Sequence, residues 1–316
     1  MAFPVPVDAG LKFGLMGRLP EPNEIRARVA AVEAAGLDSM WVGDHVAFTS
    51  PIQDPLVSLS FAAACSDKLT FGTSVYLLPL RHPTPVAKQV ATLDQMCQGR
   101  LIFGVGVGGE FPREFEACGV NVKERGARLS EGIQVVKKLW TGKPVSHHGR
   151  FYDFDETHMQ PAPDQPGGPP IWCGGRSKAA LERCGRLTDG YISYVVTPEM
   201  YAEALGTIGQ AAEAAGRQLD SFGTAHLLFA RVDKDYETAL DVATHHLSIR
   251  YAMDFRKAAQ RYAALGSGAD VAAAINRFID VGVRYVIVDL IGPEEEKVEH
   301  LERFAREVKP LLASAA

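Results

Sequence analysis

VAKQVATLDQMCQGRLIFGVGVGGEF, residues 86–111, carries two patterns side by side. Val86, Val90, Leu93 and Met96 recur at spacings of four, three and three, which is one face of a helix. Leu101 to Val107 is then a mostly apolar run without alternation. That is the mark of a parallel strand packed on a barrel interior on one side and under helices on the other. The run dissolves into Gly104, Gly106, Gly108 and Gly109, followed by Glu110.

The same alternation extends in both directions. Strand-like runs fall at Leu11 to Met16, Ser39 to Val42, Leu69 to Val75, Leu101 to Val107, Pro170 to Cys173, Gly190 to Tyr194, Phe222 to Val232 and Tyr285 to Leu290, eight in all. Helical periods lie between them, as in Leu129, Ile133, Val136 and Trp140. Asn23 before Glu24, and Thr197-Pro198-Glu199, read as helix starts. Eight β-α units predict a single closed (β/α)8 TIM barrel over residues 1–316, because closure uses the eighth strand and leaves no edge. An open doubly wound sheet would leave two.

Two stretches are too long for simple connections. After strand four, Thr141 to Gly168 holds the hairpin-like VSHHGRFYDF (145–154) and leads into the Pro/Gly-rich QPAPDQPGGPP (160–170). After strand seven, Thr244 to Gly268 carries helical pattern. Insertions of this length in a barrel are expected to shape the active-site mouth.

Composition narrows the partners to small molecules. A net charge of -5 over 316 residues offers no basic stripe for nucleic acid, and no apolar window approaches the roughly 18 residues of a membrane span. MAFPVPVDAG at residues 1–10 reads as an extended lead-in without the features of a signal peptide. Cys65, Cys97, Cys118, Cys173 and Cys184 are odd in number and scattered, which suggests reduced thiols in a cytoplasmic protein without structural zinc.

In a parallel barrel, chemistry collects past the C-terminal ends of the strands. Strand two is followed there by Gly43, Asp44 and His45, strand three by Ser74, Val75, Tyr76, Arg81 and His82, and strand four by the glycines and Glu110. Strand five gives Gly174, Gly175, Arg176 and Ser177 opening a helix. Outward backbone N–H groups, the helix start and added side-chain donors make this last segment an anion site, most simply for phosphate; the plainer alternative is a glycine turn with an N-cap serine.

Gly104 to Gly109 matches G-x-G-x-x-G, but Phe111-Pro112 should break the helix that a dinucleotide fingerprint needs. The run suits backbone passing flat against a large planar ligand, or a purely structural loop. His45 and Glu110 are the candidate proton-transfer groups; each could equally be an ordinary loop residue. Neither the adjacent pair His147-His148 nor His245-His246 suits a metal, since neighbours on a regular element point apart.

WVGDHV (41–46), GTSVYLLPLRHP (72–83), AKQVATLDQMCQGRLIFGVGVGGEF (87–111) and PPIWCGGRSKAALERCGRLTDGY (169–191) together resemble the bacterial luciferase-like superfamily of flavin and deazaflavin oxidoreductases. The likeness runs from Lys12 to about Tyr194. The D-H after strand two, the G-V-G-V-G run, the G-R-F-Y hairpin and P-P-I-W-C-G-G-x-S look most like its coenzyme F420 branch.

The resemblance implies a cofactor ring at the C-terminal mouth with hydride exchanged at C5. Asp44 and His45 would line the ring, a non-prolyl cis peptide between Ser74 and Val75 would back it, and Val107, Gly108 and Gly109 would pass near it. Gly174, Gly175, Arg176 and Ser177 would hold the phosphate tail, and His45 and Glu110 would stand as catalytic acid/base groups. Val107 occupies the place of an arginine that luciferase uses for the flavin phosphate, which favours deazaflavin over FMN. No basic set for a sugar-phosphate substrate is recognisable. The alternative within the family is an FMN-dependent monooxygenase using oxygen and a separate flavin reductase. A non-catalytic cofactor binder is the reading from another class. Relatives commonly pair as homodimers through helices near the early strands, and the same is expected here.

Overall fold

The computed structural model describes residues 11–17 and 22–312. The lead-in at residues 1–10 lies outside them, and so does the side chain of Asn23, whose backbone belongs to the helix Pro22–Ala34.

Eight parallel strands form the barrel: β1 (Lys12–Met16), β2 (Ser39–Val42), β3 (Thr70–Thr73), β4 (Leu101–Val105), β5 (Ile171–Gly174), β6 (Gly190–Tyr194), β7 (Gly223–Val232) and β8 (Tyr285–Leu290). Each pairs with the next, and β8 pairs back to β1 with Phe13 opposite Val286, so the sheet closes. Strands three and four stop two residues earlier than their apolar runs, because Ser74–Val75 and Gly106–Val107 already belong to the loops at the mouth.

Two tryptophans fill the barrel interior. Trp41 of β2 stacks on Trp172 of β5 with centroids 5.7 Å apart, and both meet Tyr285 of β8 edge-on. Indoles of this size fit because the neighbouring strands carry glycine beside them, Gly72 in register with Trp41 and Gly190 with Trp172. A Cβ on Gly72 would come within 2.3 Å of Trp41, and one on Gly190 within 2.3 Å of Trp172. Trp41 Nε1 donates to Ser39 Oγ at 2.8 Å, so the buried ring leaves no unpaired donor. Outside the barrel, helices such as Pro83–Met96 and Gly268–Asp280 lay apolar faces on the strands and complete a second, larger core.

The segment after β7 corrects the sequence reading. It holds the helices Tyr236–Tyr251 and Arg256–Tyr262 as expected, but also a three-residue strand, Ala264–Gly266. β7 is ten residues long, and its last three, Ala230 to Val232, pair with this extra strand.

The first long stretch does contain a hairpin, Val145–His148 against Asp153–Thr157. It lies along the helix Arg125–Leu139, where Glu131 accepts from the N–H groups of Phe151 and Tyr152 at 2.9 Å. It contributes nothing to the mouth cavity among the described residues, contrary to expectation. The reason is topological: it leaves the C-terminal end of a helix, and helices run back toward the end of the barrel opposite the mouth.

No helix of the described residues is long and apolar enough to cross a membrane.

Candidate active site

A cavity of about 650 Å³ opens over the C-terminal ends of the strands. Its walls bring together the loops after β2, β3, β4 and β5 with the ends of β6 and β8 and the helix Tyr236–Tyr251.

Past β2, Asp44 and His45 have different surroundings. The Asp44 carboxylate is buried; both its oxygens meet the guanidinium of Arg81, and Oδ2 also accepts from the Leu77 N–H at 2.8 Å. It thereby ties the loop after β2 to the loop after β3. Burial raises its pKa above the usual carboxylate value, against the lowering pull of Arg81. Asp44 reaches the cavity wall as expected, but its acceptors are spent on this tie.

His45 lies on the wall with its side chain 22% exposed. Its Nδ1 is 3.1 Å from Glu114 Oε2, and its ring stacks on Phe48 at 4.0 Å with Phe111 edge-on. Glu114, whose side chain is 1% exposed, also accepts from the N–H groups of Val46 and Ala47. It comes from the short helix Pro112–Ala117. No helix follows the glycine run directly, as Phe111-Pro112 leads one to expect; the short helix starts only at Pro112, as proline does at a first helical position.

The peptide between Ser74 and Val75 is cis, at the position where the resemblance placed it. Val75 lies between two loops: its methyl groups fill the space a Cβ would need on Gly106 and press on the corresponding space at Gly174. Gly108 and Gly109, with φ of 57° and 109°, adopt backbone that favours glycine. Val75, Gly106, Val107, Gly108, Gly109, Gly174 and Gly175 all line the cavity, so this part of its wall is poor in side chains.

At the end of β5, Gly174, Gly175 and Arg176 line the cavity, while Ser177 is the N-cap of the helix Lys178–Leu187, its Oγ accepting from the Ala180 N–H at 3.3 Å. The capping alternative therefore describes Ser177. The glycines, Arg176 and the helix start remain suited to an anion. These features fit a planar cofactor with a phosphate tail: Gly174, Gly175 and Arg176 would take the tail, and the glycine face with Val75 the ring.

Glu110 is exposed on the lining, beside Phe111. Opposite the loop after β2, the hydroxyl of Tyr194 donates to that of Tyr251. Burial holds both phenols above the ordinary tyrosine range, so they stay protonated. Phe229 packs edge-on to Tyr194, and Arg250 Nη1 donates to Asp289 Oδ2 at 2.5 Å. Arg28 is paired with Glu294, and the amine of Lys297, its pKa lowered by burial, donates to the Leu290 carbonyl.

Tyr194 and Asp289 lie at strand ends and were open to discovery by that rule. Tyr251 and Glu114 lie on helices, where no local signal marks them. Among the described residues, no cluster of three or more His, Cys, Asp or Glu side chains is placed to hold a metal.

Comparison with known proteins agrees with this geometry. Residues 7–308 match the family model of the luciferase-like monooxygenases. An F420-dependent glucose-6-phosphate dehydrogenase of Kineococcus radiotolerans is 28% identical, the match covering 92% of this chain and 93% of that one. Monooxygenase RslO1 of Streptomyces bottropensis superposes with a TM-score of 0.81 at 25% identity, covering 95% of this chain and 99% of its own. An F420-dependent secondary alcohol dehydrogenase, solved with an F420-acetone adduct, superposes with a TM-score of 0.84 at 20% identity over 96% and 99% of the two chains.

Proposed function

The chain belongs to the luciferase-like monooxygenase family of enzymes, and we propose that it is an oxidoreductase that works with coenzyme F420 on a small, uncharged organic substrate. The observation that carries the reading is the placement of His45, held by Glu114, on the wall of a cavity that also has a glycine-lined face. When bound, the deazaflavin supplies hydride transfer at C5.

The chain's own residues then have separable tasks. Gly174, Gly175 and Arg176 bind the anionic tail. Val75 and the glycines hold the ring face flat. His45 takes the proton of a substrate hydroxyl during oxidation, or returns it to the oxygen during reduction. Glu110, on the rim, exchanges protons between the cavity and solvent. Tyr251 is placed to hold the substrate oxygen, its own oxygen receiving the Tyr194 proton. Leu227 and Phe229 add apolar surface to the wall.

An uncharged substrate is supported by the pairing of Arg28 with Glu294 and of Arg250 with Asp289, which leaves these guanidinium groups already matched. The family and the 25% identity to a monooxygenase favour a second reading, oxygenation of the substrate by oxygen, for which the family resemblance implies reduced FMN. The two separate in paired incubations with one panel of ketones and aldehydes: reduced F420 without oxygen, followed by deazaflavin absorbance, and reduced FMN with oxygen, followed by oxygen uptake. Substrate-dependent reoxidation supports the proposal. Turnover confined to reduced FMN, with oxygen uptake, overturns it.

A further inference from the structure

His45 is useful as a base only if the nitrogen it shows to the cavity carries a lone pair, and an imidazole has two neutral tautomers. What decides between them is the partner of the other nitrogen. Glu114 Oε2 lies 3.1 Å from Nδ1. A carboxylate can only accept, so it selects the tautomer with the proton on Nδ1 and the lone pair on Nε2.

Three features make Glu114 a fixed point. Its side chain is 1% exposed, its other oxygen accepts from the backbone N–H groups of Val46 and Ala47, and those residues directly follow His45. The carboxylate therefore holds both the imidazole and the backbone that carries it. Phe48 stacked on the ring at 4.0 Å and Phe111 edge-on at 5.5 Å fix the ring plane from two sides. Nearby, Asp44 and Arg81 are paired, and Cys118, at the end of the helix Pro112–Ala117, has its thiol pushed up first by burial and then by Glu114 itself.

We propose that Glu114 is a positioning residue for His45. It holds the proton on Nδ1, turns the Nε2 lone pair to the cavity, and offsets the positive charge that the ring acquires when Nε2 takes a proton. The role rests on the proposed function for its catalytic meaning, but the tautomer is a property of the protein alone.

The test is ¹⁵N NMR of histidine-labelled protein without cofactor at mildly alkaline pH, where imidazoles are neutral, with His45 assigned by its loss in His45→Gln. The expected result is a single tautomer, protonated at Nδ1, and a mixture in Glu114→Ala. A mixture or an Nε2-protonated ring in the wild-type protein overturns the proposal, even if Glu114→Ala does not fold. In the F420 assay, Glu114→Gln keeps size and removes charge, so kcat should fall about tenfold or more with cofactor Kd changed less than about twofold. An unchanged kcat would also overturn it. A wild-type protein inert toward F420 would instead remove the proposed function and leave the tautomer result standing.

Discussion

Val75 Cγ2 lies 2.3 Å from where a Cβ on Gly106 would be, and its Cγ1 lies 3.0 Å from the corresponding point at Gly174. The valine thus locks together the loops after β3, β4 and β5, and a methyl group at residue 106 must displace it. Gly106→Ala should cost about 1–3 kcal/mol by overpacking and weaken F420 binding about tenfold or more, as the face that receives the ring is deformed. Denaturant unfolding and a cofactor titration check the two parts separately. Unchanged affinity in a destabilised variant would mean that Val75 does not back the cofactor.

His45→Ala removes the proposed proton-transfer group while leaving the glycine face and Arg176 in place. Turnover should fall about 100-fold or more, the usual range for a positioned acid or base, with cofactor Kd nearly unchanged. Steady-state kinetics beside a binding titration decide it. A parallel loss of affinity would make His45 a binding residue.

Tyr251→Phe deletes one hydroxyl and leaves the ring. If that hydroxyl holds the substrate oxygen, KM for an alcohol or ketone substrate should rise about fivefold, the equivalent of one hydrogen bond of roughly 1 kcal/mol. An unchanged KM would place the substrate oxygen elsewhere in the cavity.

Stability should fall in acid because of two histidines remote from this chemistry. His226 is 1% exposed, bonded through Nδ1 to Ser193 Oγ at 2.6 Å and stacked on Phe278. His300 accepts the Val232 N–H at 2.9 Å. Burial pushes both imidazoles down from 6.5 to about 3. Between these values the unfolded chain binds protons that the folded chain refuses. Their contribution is therefore whole above pH 6.5 and is lost as pH falls toward 3. Each histidine adds at most about 1.4 kcal/mol per pH unit to the loss. In urea unfolding across this range, His226→Gln should flatten the slope by its share; an unaltered slope would show that His226 is protonated in the native state.

The barrel was legible because parallel strands buried on both faces write themselves as unbroken apolar runs, and β2, β6 and β8 carry the boundaries that their runs predict. Ala264–Gly266 was not, since three residues contain no period and their pairing is decided by the free end of β7. The family resemblance implied the cis Ser74–Val75 peptide, and the D-H motif after β2 pointed to His45, which the fold puts on the cavity wall. Glu114 was hidden because its value lies in contacts with Val46 and Ala47, about 68 positions away, and nothing local to a six-residue helix announces them. The hairpin Val145–His148 with Asp153–Thr157 was legible as a hairpin, but its place against Glu131 depends on which end of the barrel its parent helix reaches.

Side-by-side titration of the purified protein with coenzyme F420 and with FMN, each oxidised and reduced, bears most directly on the cofactor assignment. Followed by fluorescence or heat, F420 should bind tightly and FMN more weakly by about tenfold or more, a difference of at least 1.4 kcal/mol. Selective binding of reduced FMN would contradict it.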